Sequence, residues 1–348
     1  MTDRSGNHDD FKTSAQDAAA PSLTEVNAAA AFRCARLPRR WAVVLAGGDG
    51  VRLRPLTRLI CGDDRPKQFC PLYGGATLVE HARQRAERSV QSDHVLFSLT
   101  RPHEAFYTPI LPDCRRQWIV QPSNRGTGAA IVSSLLFIAR RQPEALVAVF
   151  PSDHHYSDED VVTEAVENAF ELAEAEPQSV VLLGARPSRP EVEYGWIELG
   201  DPISGGAAAF RVRGFHEKPS RETASLLLER QALWNTFVMI GPVLSFLEAI
   251  CSAAPGLVGA LRHSAMPHAP RGEIRLEESA YARIPPVDFS RQILSAATGR
   301  LIVRQLGPVV WNDLGDCNRA LDALAEAGFE PDWAKPWRAT PSAASAVA

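Results

Sequence analysis

Three glycines and two basic residues form the clearest chemical feature of this sequence. Gly47, Gly48 and Gly50 directly follow an apolar run, and Arg52 and Lys67 come after them. Glycine lets the backbone approach a ligand closely, so that its N–H groups can be presented to an anion. Backbone donors beside two cations suit a chain of phosphate groups. The spacing therefore predicts a polyphosphate site at the end of a buried strand.

Two well-known phosphate-binding loops differ from this pattern. The Walker loop of many kinases and ATPases ends in a Gly-Lys pair, and no such pair follows Gly50. The dinucleotide-binding loop needs a third glycine at the position where Leu53 stands. The glycine run therefore predicts neither an ordinary kinase or ATPase loop nor an NAD site.

Asp153 is the second candidate feature, because it closely follows the apolar run at residues 145–150. Open α/β sheets bind their ligands at the carboxyl ends of parallel strands. A carboxylate there can help to hold a hard divalent cation through its oxygen atoms. The neighbouring His154 and His155 point apart on a strand or loop. We therefore expect packing and surface positions for these histidines rather than metal binding.

The glycine run resembles the signature of the sugar-1-phosphate nucleotidyltransferases, in particular of the mannose-1-phosphate guanylyltransferase branch. That signature is close to L-A-G-G-x-G-x-R-L-x-P-L-T/S followed by P-K-Q, and the chain matches it nearly throughout from Leu45 to Gln68. The departure is Val51, where the family usually carries Thr or Ser. This change removes a hydroxyl contact to phosphate and leaves the backbone donors.

Four later segments extend the resemblance to about residues 40–328. They begin at Gln121 (Q-P-S-N-R-G-T-G-A-A), at Phe150 (F-P-S-D-H), at Phe215 (F-H-E-K-P, with Trp234-Asn235) and at Trp311 (W-N-D-L-G). In the family, the first of these segments faces the nucleotide base and the third lies on the sugar-phosphate side.

The resemblance implies a role for each matching residue. The implied nucleotide contacts are Leu45, Gly47, Gly48, Gly50, Gln121, Gly126 and Thr127. The implied sugar contacts are Gly195, Glu217, Lys218 and Asn235. The family places Mg²⁺ between the aspartates that correspond to Asp153 and Asp313. The implied catalytic residues are Arg52, Lys67, Asp153 and Lys218.

The implied reaction joins a nucleoside triphosphate to a sugar 1-phosphate and releases pyrophosphate. GTP and mannose 1-phosphate, giving GDP-mannose, are the expected substrates. Guanylyltransferases commonly begin the base-facing segment with Glu and read T-A-P-A. Because this chain has Gln121 and Gly128 instead, a second interpretation stays open, namely a uridylyl- or thymidylyltransferase that acts on glucose 1-phosphate. A catalytically idle subunit that senses a sugar nucleotide is a further alternative. It predicts the loss of cations or of a metal aspartate, and all of them are present.

Alternating strand and helix patterns predict the scaffold that positions these residues. Between residues 41 and 186, short β-branched runs alternate with helical patterns such as residues 126–141. This alternation indicates βαβ units, hence an α/β, Rossmann-like, mostly parallel sheet flanked by helices. After Pro190, longer strand patterns, a Gly205-Gly206 hairpin turn and helical stretches such as residues 273–283 predict a mixed β/α sugar-binding lid.

The domain organisation follows from these patterns. Residues 1–38 are predicted to be a disordered extension and residues 331–348 a low-complexity tail. Residues 39–330 are predicted to be the nucleotidyltransferase catalytic domain, with its sugar-binding part at about 190–300. We expect no second catalytic activity.

Composition excludes several other classes of protein. The 348 residues are 45% hydrophobic with a net charge of −4, so neither disorder throughout nor binding to nucleic acid or a membrane surface is expected. Six scattered cysteines predict neither a disulfide framework nor a zinc site. No secretory signal or membrane-spanning apolar run is visible. We expect a cytoplasmic protein, and homo-oligomerisation is left open.

Overall fold

A computed structural model of the protein describes residues 39–203, 208–262, 272–326, 328, 329, 331, 333 and 334. These residues belong to one compact unit whose first residue is Leu37. The extension at residues 1–38, the Gly205-Gly206 turn and most of the 331–348 tail lie outside the described residues, so the interpretation of these segments stays a prediction.

Strands and helices alternate along the first half of the chain, as the sequence predicts. The strands are β1 (Arg40–Leu45), β2 (Val95–Thr100), β3 (Trp118–Gln121), β4 (Leu146–Pro151), β5 (His155–Tyr156), β6 (Val180–Ala185), β7 (Gly195–Pro202), β8 (Ala209–Glu217), β9 (Leu233–Pro242), β10 (Ile274–Arg275), β11 (Leu301–Gln305) and β12 (Trp311–Asn312). The α-helices are α1 (Arg54–Cys61), α2 (Leu78–Glu87), α3 (Glu104–Ile110), α4 (Gly126–Arg141), α5 (Glu159–Ala175), α6 (Arg221–Glu229), α7 (Val243–Ala253), α8 (Pro255–Arg262), α9 (Glu278–Ala282) and α10 (Cys317–Glu326).

In the described part of the chain, ten strands form one sheet in the order β10-β3-β2-β1-β4-β9-β6-β11-β8-β7. The pairings from β10 to β4 are parallel, and so is the pairing of β6 with β11. The two strands that run against this direction are β9 and β8. The predicted Rossmann-like, mostly parallel α/β sheet is therefore confirmed.

Both faces of β1 are buried, which explains its apolar sequence from Trp41 to Leu45. Ala42 and Val44 belong to one hydrophobic core, and Trp41 and Val43 belong to the other. Successive residues of a strand project from opposite faces, so a strand covered by helices on both sides has no polar face. Side chains of α2 and α5 complete the first core, and side chains of α4 and α7 complete the second.

Strand β9 lies in the middle of the sheet, although it comes late in the chain. It is antiparallel to both neighbours, with Ile240 opposite Ala148 of β4 and Met239 opposite Leu182 of β6. The mixed part of the chain after Pro190 is therefore continuous with the main sheet rather than a separate layer.

The helix predicted over residues 273–283 is wrong in its first half. Ile274–Arg275 form β10, an edge strand parallel to β3. The helix α9 starts only at Glu278, because the side chain of Glu277 accepts hydrogen bonds from the N–H groups of Ser279 and Ala280 and so caps a new helix.

The described helices differ in how far their length and hydropathy approach those of a membrane span. No single helix among them is long and apolar enough to cross a membrane. By length and composition alone the bent pair α7 and α8, with an angle of 119°, could do so. Both of these helices contribute side chains to the second hydrophobic core.

Candidate active site

One cavity of about 720 Å³ lies at the ends of β1, β3 and β4, which finish at Leu45, Gln121 and Pro151. Because β9 runs in the opposite direction, its early residue Asn235 reaches the same edge of the sheet. With the exception of Gly50, every predicted site residue lines this cavity: Leu45, Gly47, Gly48, Arg52, Lys67, Gln121, Gly126, Thr127, Asp153, Gly195, Glu217, Lys218, Asn235 and Asp313.

The glycine loop after β1 is held in place by the buried side chain of Gln68. Its Nε2 donates to the carbonyl oxygens of Ala46 (3.1 Å) and Gly48 (2.7 Å). Gly50 adopts a φ of +56°, and a Cβ there would lie 2.9 Å from the backbone nitrogen of Lys67. At Gly48, by contrast, no atom of the described residues beyond Gly48 and its two chain neighbours lies within 4 Å of the Cβ position. Gly50 thus shapes the loop, and Gly48 faces open space in the cavity.

The ammonium of Lys67 lies between two aspartate-bearing segments. Its Nζ donates to the carbonyl oxygens of Asp313 (2.7 Å) and Leu314 (3.0 Å). The same atom lies 3.3 Å from Oδ2 of Asp153. Three segments that are far apart in the sequence therefore meet at a single buried charge.

Asp313 is oriented by its own turn and by α10. Its Oδ1 accepts hydrogen bonds from the N–H of Gly315 (2.8 Å) and from the guanidinium of Arg319 (3.0 Å). A Cβ on Gly315 would lie 2.8 Å from Oδ2 of Asp313, so glycine is what allows the carboxylate to fold back over the turn. The W-N-D-L-G segment thus fixes the position of a carboxylate in the cavity wall.

Asp153 and Asp313 supply the donor chemistry that magnesium prefers. Mg²⁺ in phosphate-transferring sites is usually bound by one or two carboxylates together with substrate phosphates and water. Both carboxylates line the cavity, where such phosphates would have to lie. The described residues contain no group of three or more His, Cys, Asp or Glu that could hold a metal ion. The chemistry of the two carboxylates fits an ion that would share its coordination with a bound substrate.

Gln121 is buried at the place where the resemblance implies a base contact. Its Oε1 accepts from the hydroxyl of Tyr281 (2.5 Å), and its Nε2 donates to Oγ of Ser98 (3.0 Å) and to the carbonyl of Leu99 (3.3 Å). The residue is 2% exposed. Because both ends of the amide are engaged, the orientation of Gln121 is fixed by the protein.

Gly126 and Thr127 connect the start of α4 to the segment 286–292. Gly126 has a φ of +81°, and a Cβ there would collide with the carbonyl oxygen of Val287. Oγ1 of Thr127 accepts from the N–H of Phe289 (2.9 Å). The segment is thereby fixed against α4, and most of its residues line the cavity.

On the predicted sugar side, Glu217 and Asn235 are held by neighbouring backbone. Gly195 lies opposite Glu217 in the β7–β8 pair, and a Cβ at Gly195 would lie 2.7 Å from Oε2 of Glu217. Burial, followed by the negative charge of Asp288, raises the pKa of Glu217 to about 7. Oδ1 of Asn235 accepts from the N–H of Phe237 (3.1 Å). Carboxyl and amide groups thus line this wall, as recognition of hydroxyl groups requires.

Arg52 and Lys218 meet at a residue that is not among the predicted site residues. The guanidinium of Arg52 lies 3.3 Å from Oε2 of Glu193, and Nζ of Lys218 lies 3.4 Å from the same oxygen. All three residues line the cavity. Two cations that the resemblance places on different substrates therefore share one carboxylate.

The adjacent histidines both contact aromatic rings. The indole N–H of Trp311 donates to Nδ1 of His154 (3.3 Å), and Nε2 of His154 lies 3.7 Å from Oδ1 of Asp153. Burial lowers the pKa of His154. The ring of His155 stacks on that of Tyr73 with a centroid distance of 4.5 Å. Their contacts are those of packed side chains.

Sequence reasoning missed four parts of this site: Gln68, Glu193, Arg319 and the segment 286–292. Gln68 carried a signal, since it belongs to the P-K-Q motif, but its function as a support of the glycine loop depends on a contact across twenty residues. Glu193 lies two residues before the predicted sugar contact Gly195, which was a signal of its own, whereas Arg319 and the segment 286–292 stand outside every recognised motif. Their positions follow from tertiary contacts with Arg52, Asp313 and the start of α4.

The chain is similar to known proteins over most of its length. A family model described as nucleotidyl transferase matches residues 41–327. A mannose-1-phosphate guanylyltransferase of Escherichia coli (strain K12) is 29% identical over 284 residues, which cover 79% of this chain and 58% of that protein. The match thus spans 58% of the length of this curated relative.

Solved structures that resemble the protein include the following two. One, from Thermus thermophilus and described as a mannose-1-phosphate geranyltransferase, has a TM-score of 0.70 at 30% identity, covering 84% of this chain and 80% of that chain. A mannose-6-phosphate isomerase from Helicobacter pylori has a TM-score of 0.64 at 20% identity, covering 79% of this chain and 99% of that chain, and shares the fold alone. Because the family model matches most of its length, the chain belongs to the nucleotidyl transferase family, and within it is similar to mannose-1-phosphate guanylyltransferases.

Proposed function

We propose that this protein transfers a nucleotidyl group to a sugar 1-phosphate, converting GTP and mannose 1-phosphate into GDP-mannose and pyrophosphate. The observation that carries the proposal is the cavity in which the glycine loop, Lys67 with its two aspartates, and Glu217 with Lys218 meet. Similarity to mannose-1-phosphate guanylyltransferases supports the choice of substrates.

The reaction requires little covalent chemistry from the protein. A phosphate oxygen of the sugar 1-phosphate attacks the α-phosphorus of the triphosphate and forms a new P–O bond. The bond from the α-phosphorus to the oxygen that bridges it to the β-phosphorus breaks, and pyrophosphate leaves with the electron pair. The nucleophile is already an anion, so no strong general base is needed. Catalysis then consists of bringing two polyanions together and stabilising the charge that develops.

Different residues of the cavity would bind the two substrates and stabilise the developing charge. The N–H groups of the glycine loop and the guanidinium of Arg52 would hold the triphosphate. The ammonium of Lys67, fixed by Asp153 and by the carbonyl oxygens that follow β12, would stabilise negative charge at the reacting phosphates. Lys218 would orient the sugar phosphate, and Glu217 would accept hydrogen bonds from sugar hydroxyls.

We also propose that Mg²⁺ is the cofactor and that Asp153 and Asp313 hold it together with the substrate phosphates. When bound there, it would neutralise phosphate charge. Removing one charge-stabilising group of this kind costs on the order of 10²–10³ in turnover. We expect a loss of that size for Asp153→Asn.

Pyrophosphate release from a panel of triphosphates and sugar 1-phosphates tests the proposal. We expect the highest kcat/KM with GTP and mannose 1-phosphate in the presence of Mg²⁺, and a fall on the order of 10²–10³ in Asp153→Asn. Glu248→Gln, which alters an exposed carboxylate paired with Arg300, is the control. Near wild-type turnover in Asp153→Asn would contradict the proposed mechanism.

The same panel separates the alternatives. Higher kcat/KM with UTP or dTTP and glucose 1-phosphate would assign the protein to the uridylyl- or thymidylyltransferases, which Gln121 keeps open. Binding of a sugar nucleotide without pyrophosphate release from any pair would assign it to the catalytically idle sensing subunits.

A further inference from the structure

Two pairs of basic side chains at or behind the cavity wall differ in their burial. The side chains of Lys67 and Arg319 are 11% and 10% exposed, and each is anchored to an aspartate. The side chains of Arg52 and Lys218 are 54% and 45% exposed, and both are paired with Glu193, which is itself 43% exposed. Cations of the second pair can exchange their partner for a ligand without opening the hydrophobic core.

The backbone of Glu193 is fixed, so that any exchange has to involve its side chain. The N–H of Glu193 donates to Oε1 of Glu191 (3.1 Å). The next residue, Tyr194, is 4% exposed, and its carbonyl accepts from the N–H of Lys218 (3.2 Å). The carboxylate of Glu193 can therefore rotate away from the two cations while β7 and β8 stay in place.

The charge balance at this point favours a phosphate over the carboxylate. Ion pairs between exposed side chains contribute little to stability, because water and salt screen both partners. Hydrogen bonds from Arg and Lys to phosphate are stronger than neutral ones, and a phosphate offers more acceptor oxygens than one carboxylate oxygen shared by two cations. A phosphate can thus displace Glu193, but it binds more weakly than it would in the absence of that carboxylate.

We propose that Glu193 is the built-in counter-ion of the phosphate site. In the free protein its carboxylate holds Arg52, which follows β1, and Lys218, which follows β8, and an incoming substrate phosphate takes its place. This assignment makes Glu193 a positioning residue and rests on the proposed function. Competition from two exposed ion pairs corresponds to a roughly three- to tenfold weakening of phosphate binding.

Substituting Glu193 by glutamine, Glu193→Gln, removes the competing charge while keeping the shape of the side chain. Glu198→Gln is a matched control, because Glu198 also contacts two basic residues, Arg230 (3.3 Å) and His216 (3.5 Å), and lies outside the cavity lining. Calorimetry with inorganic phosphate and with pyrophosphate gives the Kd of each protein. We expect Kd to fall roughly three- to tenfold in Glu193→Gln and to stay at the wild-type value in Glu198→Gln.

Steady-state kinetics supply a second readout, since a counter-ion acts on KM. We expect the KM for the sugar 1-phosphate to fall by the same factor as the Kd for phosphate. An unchanged or raised Kd in Glu193→Gln overturns the proposal, and so does an equal fall in both variants, which would reflect bulk charge alone. If the wild type turns over no sugar 1-phosphate, the proposed function fails, while the phosphate Kd still decides the assignment of Glu193. Glu193→Ala, with the same expected sign, replaces Glu193→Gln if that variant unfolds.

Discussion

At the scale of single residues, several charges of the cavity are paired within the protein. Lys67 lies beside Asp153, Arg319 beside Asp313, and Glu193 beside Arg52. A net charge of −4 is therefore compatible with the proposed binding of two polyanions. Net charge describes the whole surface, whereas binding depends on a few cations that a ligand can reach.

Glu217 allows a test on one ionisable group. Its pKa is about 7 in the folded protein, against an ordinary value of 4.5. A raised pKa means that the contribution of this carboxyl group to stability is fully present below pH 4.5 and is lost as the pH rises through 7. The neutral variant Glu217→Gln should therefore lie near the wild type at low pH and be more stable than it at about pH 8.5. We expect a gain of about 1–2 kcal/mol there, reduced by solvent screening.

Urea unfolding of both proteins at about pH 5 and pH 8.5 measures this difference. Glu248→Gln is the control, because Glu248 forms an exposed pair with Arg300 and should show no comparable gain at high pH. Equal stability of Glu217→Gln and the wild type at the higher pH would contradict the raised pKa.

At the scale of elements, the glycine loop contains glycines with different functions. Gly50 is required by its φ of +56° and by the backbone of Lys67, which lies 2.9 Å from its Cβ position. Gly48 has room for a methyl group on the protein side and lines the cavity. A methyl group there would enter the space that a phosphate needs.

Two alanine variants should separate these functions. Gly48→Ala should unfold like the wild type and raise the KM for the triphosphate, roughly tenfold or more by analogy with the loss of one good contact. Gly50→Ala should lower the free energy of unfolding by about 1–3 kcal/mol, because it places Cβ in the left-handed region and against backbone. Thermal unfolding and steady-state kinetics measure both effects. A destabilised Gly48→Ala with unchanged KM would refute the assignment.

The elements could be predicted where the local pattern is regular. Helix α4 spans Gly126–Arg141, the same residues that its apolar spacing predicts, and β4 (Leu146–Pro151) lies within one residue of the apolar run at residues 145–150. The position of β9 could not be predicted, because its partners at Ala148 and Leu182 lie far away in the sequence. Glu193 was missed for the same reason, since only its contacts with Arg52 and Lys218 give it a function.

At the scale of the whole molecule, the cavity exists only when distant parts of the chain are folded together. Nζ of Lys67 reaches the carbonyl oxygens of Asp313 and Leu314, and the segment 286–292 rests on α4. Strand β9 fills the gap between β4 and β6. Contacts of this range form late and cooperatively, because the chain must close long loops before it gains them.

This topology predicts that the first part of the chain does not fold alone. A fragment of residues 39–190 contains β1 to β6 but lacks β9, the strand that lies between β4 and β6 in the sheet. The edges of β4 and β6 would then have unpaired backbone groups and exposed apolar side chains. We expect the fragment to aggregate or to unfold without a cooperative transition, while the full chain shows a cooperative one. Calorimetry and near-UV circular dichroism of both proteins provide the comparison. A cooperative transition in the soluble fragment would show that its strands form an independent domain without β9.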